Sequence, residues 1–174
     1  DTKLNVFETF RPQIPDAYRS PDLLFLGNID PELQLDVLQK LSRPPLVACD
    51  TMNFWINGKR DALWRVLEQV DILIVNDGEA RALGEDSNLV KVAQKVLARG
   101  PKHLIIKRGE YGVLMFTGKQ VFGAPAFPLE DVRDPTGAGD SFAGGFLGYL
   151  AATGNRSVDA FKQAIIFGSV MASF

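Results

Sequence analysis

The run Asp134-Pro135-Thr136-Gly137-Ala138-Gly139-Asp140-Ser141-Phe142 has the composition of an anion-binding turn. Glycines let the backbone turn tightly and converge successive N–H groups on one point, and a helix start adds unpaired donors and the positive end of a dipole. Such a nest suits an oxyanion or a phosphate. Asp140 falls in the first turn of the helix expected to follow, where its carboxylate is dipole-stabilised and aimed at the same space. The bland alternative is an ordinary loop-to-helix junction capped by an Asp. That alternative must also account for Gly144, Gly145 and Gly148 inside the helix, each costing about 1 kcal/mol relative to Ala. Their presence predicts a close approach to this helix. Three familiar motifs fail on the segment: no Lys follows Gly139 as a Walker loop needs, Phe142 stands where a dinucleotide fingerprint needs its last glycine, and Ala143 ends what would be a nucleophile elbow.

The elements that must carry this turn follow from hydrophobic patterning. Leu23-Leu24-Phe25-Leu26-Gly27 reads as a strand, and Asn28, Asp30 and Pro31 as start signals for a helix over 31–41. The unit repeats as Leu46-Val47-Ala48-Cys49 with a helix near 58–69, then as Ile72-Leu73-Ile74-Val75 with helices near 77–84 and 88–99. Continuously apolar strands are buried on both faces, which belongs to parallel sheets reached by right-handed crossovers. After Pro101 the rhythm changes. Leu104-Ile105-Ile106-Lys107, Val113-Leu114-Met115-Phe116 and Gln120-Val121-Phe122 are separated only by short glycine-containing turns and read as antiparallel strands. A loop over 125–136 and helices over 138–152 and 157–173 complete the chain, the first carrying Phe142, Phe146 and Leu150 on one face. The fold class is α/β, a mostly parallel sheet with antiparallel strands toward the C-terminal part.

In an open α/β sheet the ligand crevice lies at the carboxyl ends of the strands, where this chain places Asn28, Asp30, Asp50, Asn76, Glu79 and Lys107. Three of them have a plainer reading: Asn76 and Glu79 as helix-start residues, and Lys107, with Arg108, as a solvated sheet edge. His103, the one histidine, reads as a surface or packing residue, Cys49 as inert packing, and Trp55 and Trp64 as core or helix-face residues.

Composition bounds the function classes. The chain has 174 residues, 19 Lys+Arg against 21 Asp+Glu and a single Cys, enough for one core and read as a single α/β domain over 1–174. A formal net charge of −2 leaves no basic footprint for nucleic acid. No apolar run approaches the roughly 18 residues of a membrane helix, and one Cys without zinc spacing fits a reducing cytoplasm. The chain opens on Asp1 rather than Met and stops at Phe174 within an apolar-periodic stretch, so further portions are expected on both sides.

The Asp-x-Thr-Gly-Ala-Gly-Asp run entering a Gly-rich helix after a series of βα units resembles the ribokinase-like (PfkB) carbohydrate kinases. Asn76-Asp77-Gly78-Glu79 after a buried strand is similar to that family's Asn-x-x-Glu motif, and Lys107-Arg108-Gly109-Glu110-Tyr111-Gly112 to its strand-to-turn segment under the nucleotide phosphates. The resemblance, from about Leu23 to Phe174, implies a three-layer αβα fold, incomplete at both ends, and ATP-dependent phosphorylation of a hydroxyl group on a sugar or related small molecule. It implies that the Gly137, Ala138 and Gly139 amides form the anion hole and that Asp140 accepts the proton of the attacking hydroxyl. It implies Asn76 and Glu79 organising Mg²⁺ through water, Lys107 offering a point charge to the ATP phosphates, and Gly109 and Gly112 permitting close backbone approach. Asp134 and Thr136 match positions near a monovalent-cation site in some members. A homodimer is the assembly that the family's lid would form.

The chain departs from the family in lacking, before Leu23, the Gly-Gly motif and small sheet through which members recognise their sugar. Asp50-Thr51-Met52-Asn53-Phe54-Trp55 stands where many members carry Asp-Pro-Asn-x-Arg. Two other readings stay open: a non-catalytic nucleotide-binding module that keeps the nest, and a Gly-Asp-Ser hydrolase using Ser141, which would need a downstream His that this sequence does not contain.

Overall fold

The computed structural model describes residues 4–131 and 134–174. The chain divides into two compact units, one through Leu104 and one from Ile105 to Phe174.

In the first unit, β1 (Leu24–Leu26), β2 (Val47–Asp50) and β3 (Ile72–Asn76) pair in parallel, with Phe25 opposite Ala48 and Cys49 opposite Leu73. The cause is the one the sequence predicts: every residue of β2, and β3 through Val75, is buried, so both faces must be covered. Helix α1 (Pro31–Lys40) starts where the Asp30 carboxylate accepts the Glu32 N–H at 3.0 Å and proline occupies the first helical position. One buried carboxylate ties the amino ends together. Asp71, 4% exposed, accepts the Val47 N–H at 3.0 Å and pairs with Lys102 at 2.8 Å.

The single helix expected near 58–69 is instead two, α2 (Asn53–Gly58) and α3 (Arg60–Leu67). Lys59 leaves helical geometry at φ −134° and ψ 42°, next to a glycine that disfavours helix continuation, and its ammonium reaches Asp30 at 2.7 Å and Glu32 at 2.6 Å. The earlier start of α2 comes from burial of Trp55 and Ile56. After β3 follow α4 (Asp77–Gly84) and α5 (Leu89–Leu97). Arg60 donates to the Leu83 carbonyl at 2.6 Å at the end of α4.

Strand β4 (His103–Lys107) bridges the unit boundary in sequence. In the second unit, β5 (Val113–Thr117) and β6 (Gln120–Ala124) form an antiparallel hairpin, Val113 opposite Ala124 and Thr117 opposite Gln120. Gly118 takes the left-handed conformation its turn requires, φ 55°. The expected loop over 125–136 has no helix or strand where described, with 132–133 outside the described residues. Helices α6 (Ala138–Thr153) and α7 (Val158–Met171) pack on each other through Phe142, Phe146 and Phe161. A Cβ on Gly145 would lie 2.8 Å from Met171 and 3.0 Å from Gly168 Cα, so this glycine meets the predicted close approach. Gly144 and Gly148 do not: both face open space.

Candidate active site

The α6 amino terminus is built by two local devices. The Asp134 carboxylate accepts the Thr136 N–H at 2.9 Å, an Asx turn that swings the chain into the helix. The Thr136 hydroxyl and amide hold that exposed carboxyl below the usual carboxylate range. Gly137 then takes φ 82°, a left-handed position at the N-cap that a side chain would strain. No side chain caps this sixteen-residue helix.

The first-turn donors differ from the expected anion hole. Ala138 N–H is committed to the Pro135 carbonyl at 3.1 Å, and Ser141 N–H to the Gly137 carbonyl at 2.8 Å. Among the described residues the N–H groups of Gly137, Gly139 and Asp140 have no acceptor. The donors on offer are therefore those of Gly137, Gly139 and Asp140, with the Ala138 amide spent on the turn. Asp140 itself is exposed on that same turn.

Lys107, at the end of β4, reaches this terminus. Its Nζ lies 2.5 Å from where a Cβ on Gly139 would stand, and among the described residues it has no ion pair. Unaccepted amides and an ammonium at one helix start are a donor set suited to an anion. Beyond Lys107, the 3₁₀ turn Gly109–Tyr111 carries Gly109 at φ 56° and Gly112 at φ 79°. Gly112 has a packing reason to be glycine, because a Cβ would run into the Ala124 carbonyl and Pro125. The same space around Gly109 is open.

In the first unit the structure brings Asn76 and Glu79 together as a capping box. Asn76 Oδ1 accepts the Glu79 N–H at 2.8 Å, and Glu79 Oε2 accepts the Asn76 N–H at 2.8 Å. Two hard oxygen donors engaged with backbone do not make a direct metal cage, and no group of three or more His, Cys, Asp or Glu able to hold a metal occurs among the described residues. This donor set fits Mg²⁺ held through its hydration shell, the manner in which that ion is commonly retained.

The remaining singled-out residues take the plainer readings. Cys49 is fully buried, and burial pushes its thiol far above the ordinary range. His103 opens β4, its pKa lowered by burial. Trp64 is core, with the Arg99 guanidinium 4.0 Å over its ring. Ser141 is an exposed second-turn residue of α6. Sequence reasoning missed two contacts at the strand ends: Trp55 Nε1 donates to Asn28 Oδ1 at 3.0 Å, and the buried Gln34 amide donates to the Gly27 carbonyl at 2.9 Å. The one signal available for Gln34 was its place beside Leu33 on the buried face of α1. No helix among the described residues is long and apolar enough to cross a membrane.

Residues 35–174 match the model of the pfkB family carbohydrate kinases. The chain is 35% identical to the cytidine kinase of Thermococcus kodakarensis over 77% of this chain and 49% of that protein. It is 28% identical to the adenosine kinase of Saccharomyces cerevisiae over 78% and 45%. Among solved structures, the ribokinase of Thermotoga maritima superposes with a TM-score of 0.70 at 29% identity, covering 87% of this chain and 49% of that one. The nucleoside kinase of Methanocaldococcus jannaschii gives 0.76 at 23%, covering 98% and 53%. The chain thus spans about half the length of the relatives it matches, and the fold is ribokinase-like.

Proposed function

The chain belongs to the pfkB family of carbohydrate kinases, and from that membership we propose that the protein transfers the terminal phosphoryl group of ATP to a hydroxyl group of a sugar or nucleoside. Nucleosides stand beside sugars because two of the similar proteins are a cytidine kinase and an adenosine kinase. The observation that carries the reading is the α6 terminus: three unaccepted amides, the Lys107 ammonium and the Asp140 carboxylate on one turn.

In the proposed reaction the acceptor oxygen forms a bond to the terminal phosphorus while the bond to the β–γ bridging oxygen breaks and its electron pair leaves with ADP. Asp140 takes the acceptor's hydroxyl proton, which makes the oxygen a better nucleophile as the new bond forms. The Gly137, Gly139 and Asp140 amides receive the negative charge on the transferring group. Lys107 adds a fixed positive charge to the phosphates, and Gly109 leaves open space beside the turn that follows it. Bound Mg²⁺ supplies further neutralisation of phosphate charge, and Asn76 and Glu79 would hold it through water. Asp134 and Thr136 are the residues we assign to a monovalent cation.

The test is ADP release from Mg-ATP by the full-length protein across a panel of sugars, sugar acids and nucleosides. Acceptor-dependent release that disappears in Asp140→Asn is expected. Unchanged turnover in that variant overturns the assignment of the base, and no release with any acceptor overturns the kinase reading.

A further inference from the structure

Gly137 and Gly139 sit two residues apart in the same turn, yet the structure gives them different reasons to be glycine. Gly137 is left-handed, with open space where its side chain would be. Gly139 is ordinary helix, a backbone any residue adopts, but its Cβ position is taken by Lys107 Nζ at 2.5 Å, with Cε at 3.8 Å. A side chain at 139 would therefore cost the fold little, because a lysine end can give way, but it would move that ammonium from where it stands. That lysine is in an electrostatically poor place. A cation at a helix amino terminus meets the positive end of the dipole, and among the described residues no carboxylate pairs with it. An ammonium beside unaccepted amides at one helix start repels them until an anion is shared between them.

We propose that Lys107 is part of the α6 anion hole, its ammonium passing over the bare Cα of Gly139 to meet the transferring phosphoryl group, and that Gly139 is glycine to leave that passage. This deepens the kinase reading and rests on it for the identity of the anion. It narrows the role given to Lys107 above, from a charge shared by the ATP phosphates to one that acts on the terminal phosphate. It also makes Lys107 and Gly139 one unit: a methyl group at 139 displaces the ammonium, so losing either has the same consequence.

The experiment uses the full-length protein as wild type, Lys107→Met, Gly139→Ala and the double variant. Calorimetry compares the affinity for ADP with that for the ATP analogue carrying a methylene between the β and γ phosphorus atoms, a pair differing by the terminal phosphate. Each single variant is expected to lose about tenfold in affinity for the analogue while retaining ADP affinity, and the double variant to lose no more than the worse single, the mark of interacting sites. In turnover each single variant falls on the order of a hundredfold, as removal of one oxyanion donor does, again without further loss in the double. Equal weakening of ADP and analogue, or losses that multiply in the double variant, overturns the proposal. Lys107→Met changes no backbone conformation, so it alone decides the terminal-phosphate assignment if Gly139→Ala does not fold. Turnover of the wild type separates the two readings: a protein that discriminates the analogue through Lys107 but transfers nothing retains this inference for binding and loses the kinase assignment.

Discussion

Two helix starts in this chain do opposite things with the same unsatisfied amides. At α4, Asn76 and Glu79 close the terminus on itself in a reciprocal capping box. At α6, the longest helix among the described residues, no side chain caps the terminus, a left-handed glycine stands at the N-cap, and Lys107 from the end of β4 lies against the first turn. A closed terminus stabilises its helix locally. An open one forgoes that, typically about 1 kcal/mol, and must be held by packing elsewhere, which α6 obtains along α7 through Phe142, Gly145 and Phe146. Helices α1, α5 and α7 are capped by a side chain, from Asp30, Asn88 and Ser157, while α2 and α3 are uncapped like α6; what sets α6 apart is the left-handed Gly137 at its N-cap and the Lys107 ammonium beside its open donors.

The largest effect is expected where the open terminus does chemistry. Asp140→Asn removes the proton acceptor while leaving the amides and Lys107 in place, so turnover should fall by about a thousandfold, within the range for a general base, with nucleotide affinity nearly unchanged and thermal stability unaltered. Steady-state kinetics and calorimetry on one preparation check this. A fall in stability matching the fall in turnover would mean that Asp140 serves the helix after all.

Next in size is the packing that replaces the missing cap. Gly145→Ala places a methyl group 2.8 Å from Met171 and 3.0 Å from the backbone of Gly168, and overpacking of this kind costs about 1–3 kcal/mol. Gly144→Ala, one residue earlier but facing open space, should instead stabilise by roughly 0.5–1 kcal/mol. Urea unfolding of the two variants measures the contrast, and equal shifts would remove the claim that α7 holds α6.

At the closed terminus the effect is smaller and of another kind. Asn76→Ala should cost about 1 kcal/mol of stability. Glu79→Gln keeps a side chain able to complete the box and should leave stability within about 0.5 kcal/mol, while raising the Mg²⁺ concentration that half-saturates turnover. An unchanged Mg²⁺ requirement would make both residues caps and nothing more.

The order of elements was legible because each strand is a short apolar run and most helices begin on a recognisable cap: Asp30-Pro31, Asn76, Asn88, Ser157. Helix α2 was hidden because it begins at Met52 and Asn53 without a side-chain cap bond and ends in Gly58 after one and a half turns, so burial of Trp55 and Ile56, a tertiary effect, decides it. The nest was legible as composition, but not its bookkeeping. That Ala138 N–H is spent on Pro135 depends on turn geometry. That Gly139 answers to Lys107 depends on a contact between residues far apart in sequence. The three glycines of α6 show the same limit, since composition marks all of them as costly and only packing separates Gly145 from Gly144 and Gly148.

The smallest expected effect probes how the open terminus is entered. Asp134 is fully exposed and titrates low because the Thr136 hydroxyl and amide donate to its charged form. Its native pKa lies below its unfolded value, so the folded state binds this proton less readily. Stability from the Asx turn is then fully present above the unfolded value, about pH 4, and is lost as pH falls through the lowered native one. Thr136→Ala removes the hydroxyl, the largest of the two causes, and leaves the amide. The Asp134 carboxyl should rise part of the way toward its ordinary value, followed by carboxyl-carbon NMR between pH 2 and 6, with no change in stability at pH 7 beyond a few tenths of a kcal/mol. The turn then survives, because the bond from the Thr136 N–H to the Asp134 carboxylate remains, and the Gly137, Gly139 and Asp140 donors stay open. If turnover and its activation by a monovalent cation fall with the hydroxyl, Thr136 holds that cation as assigned; unchanged turnover at every cation concentration leaves Thr136 a residue of the turn that builds the open terminus and nothing more.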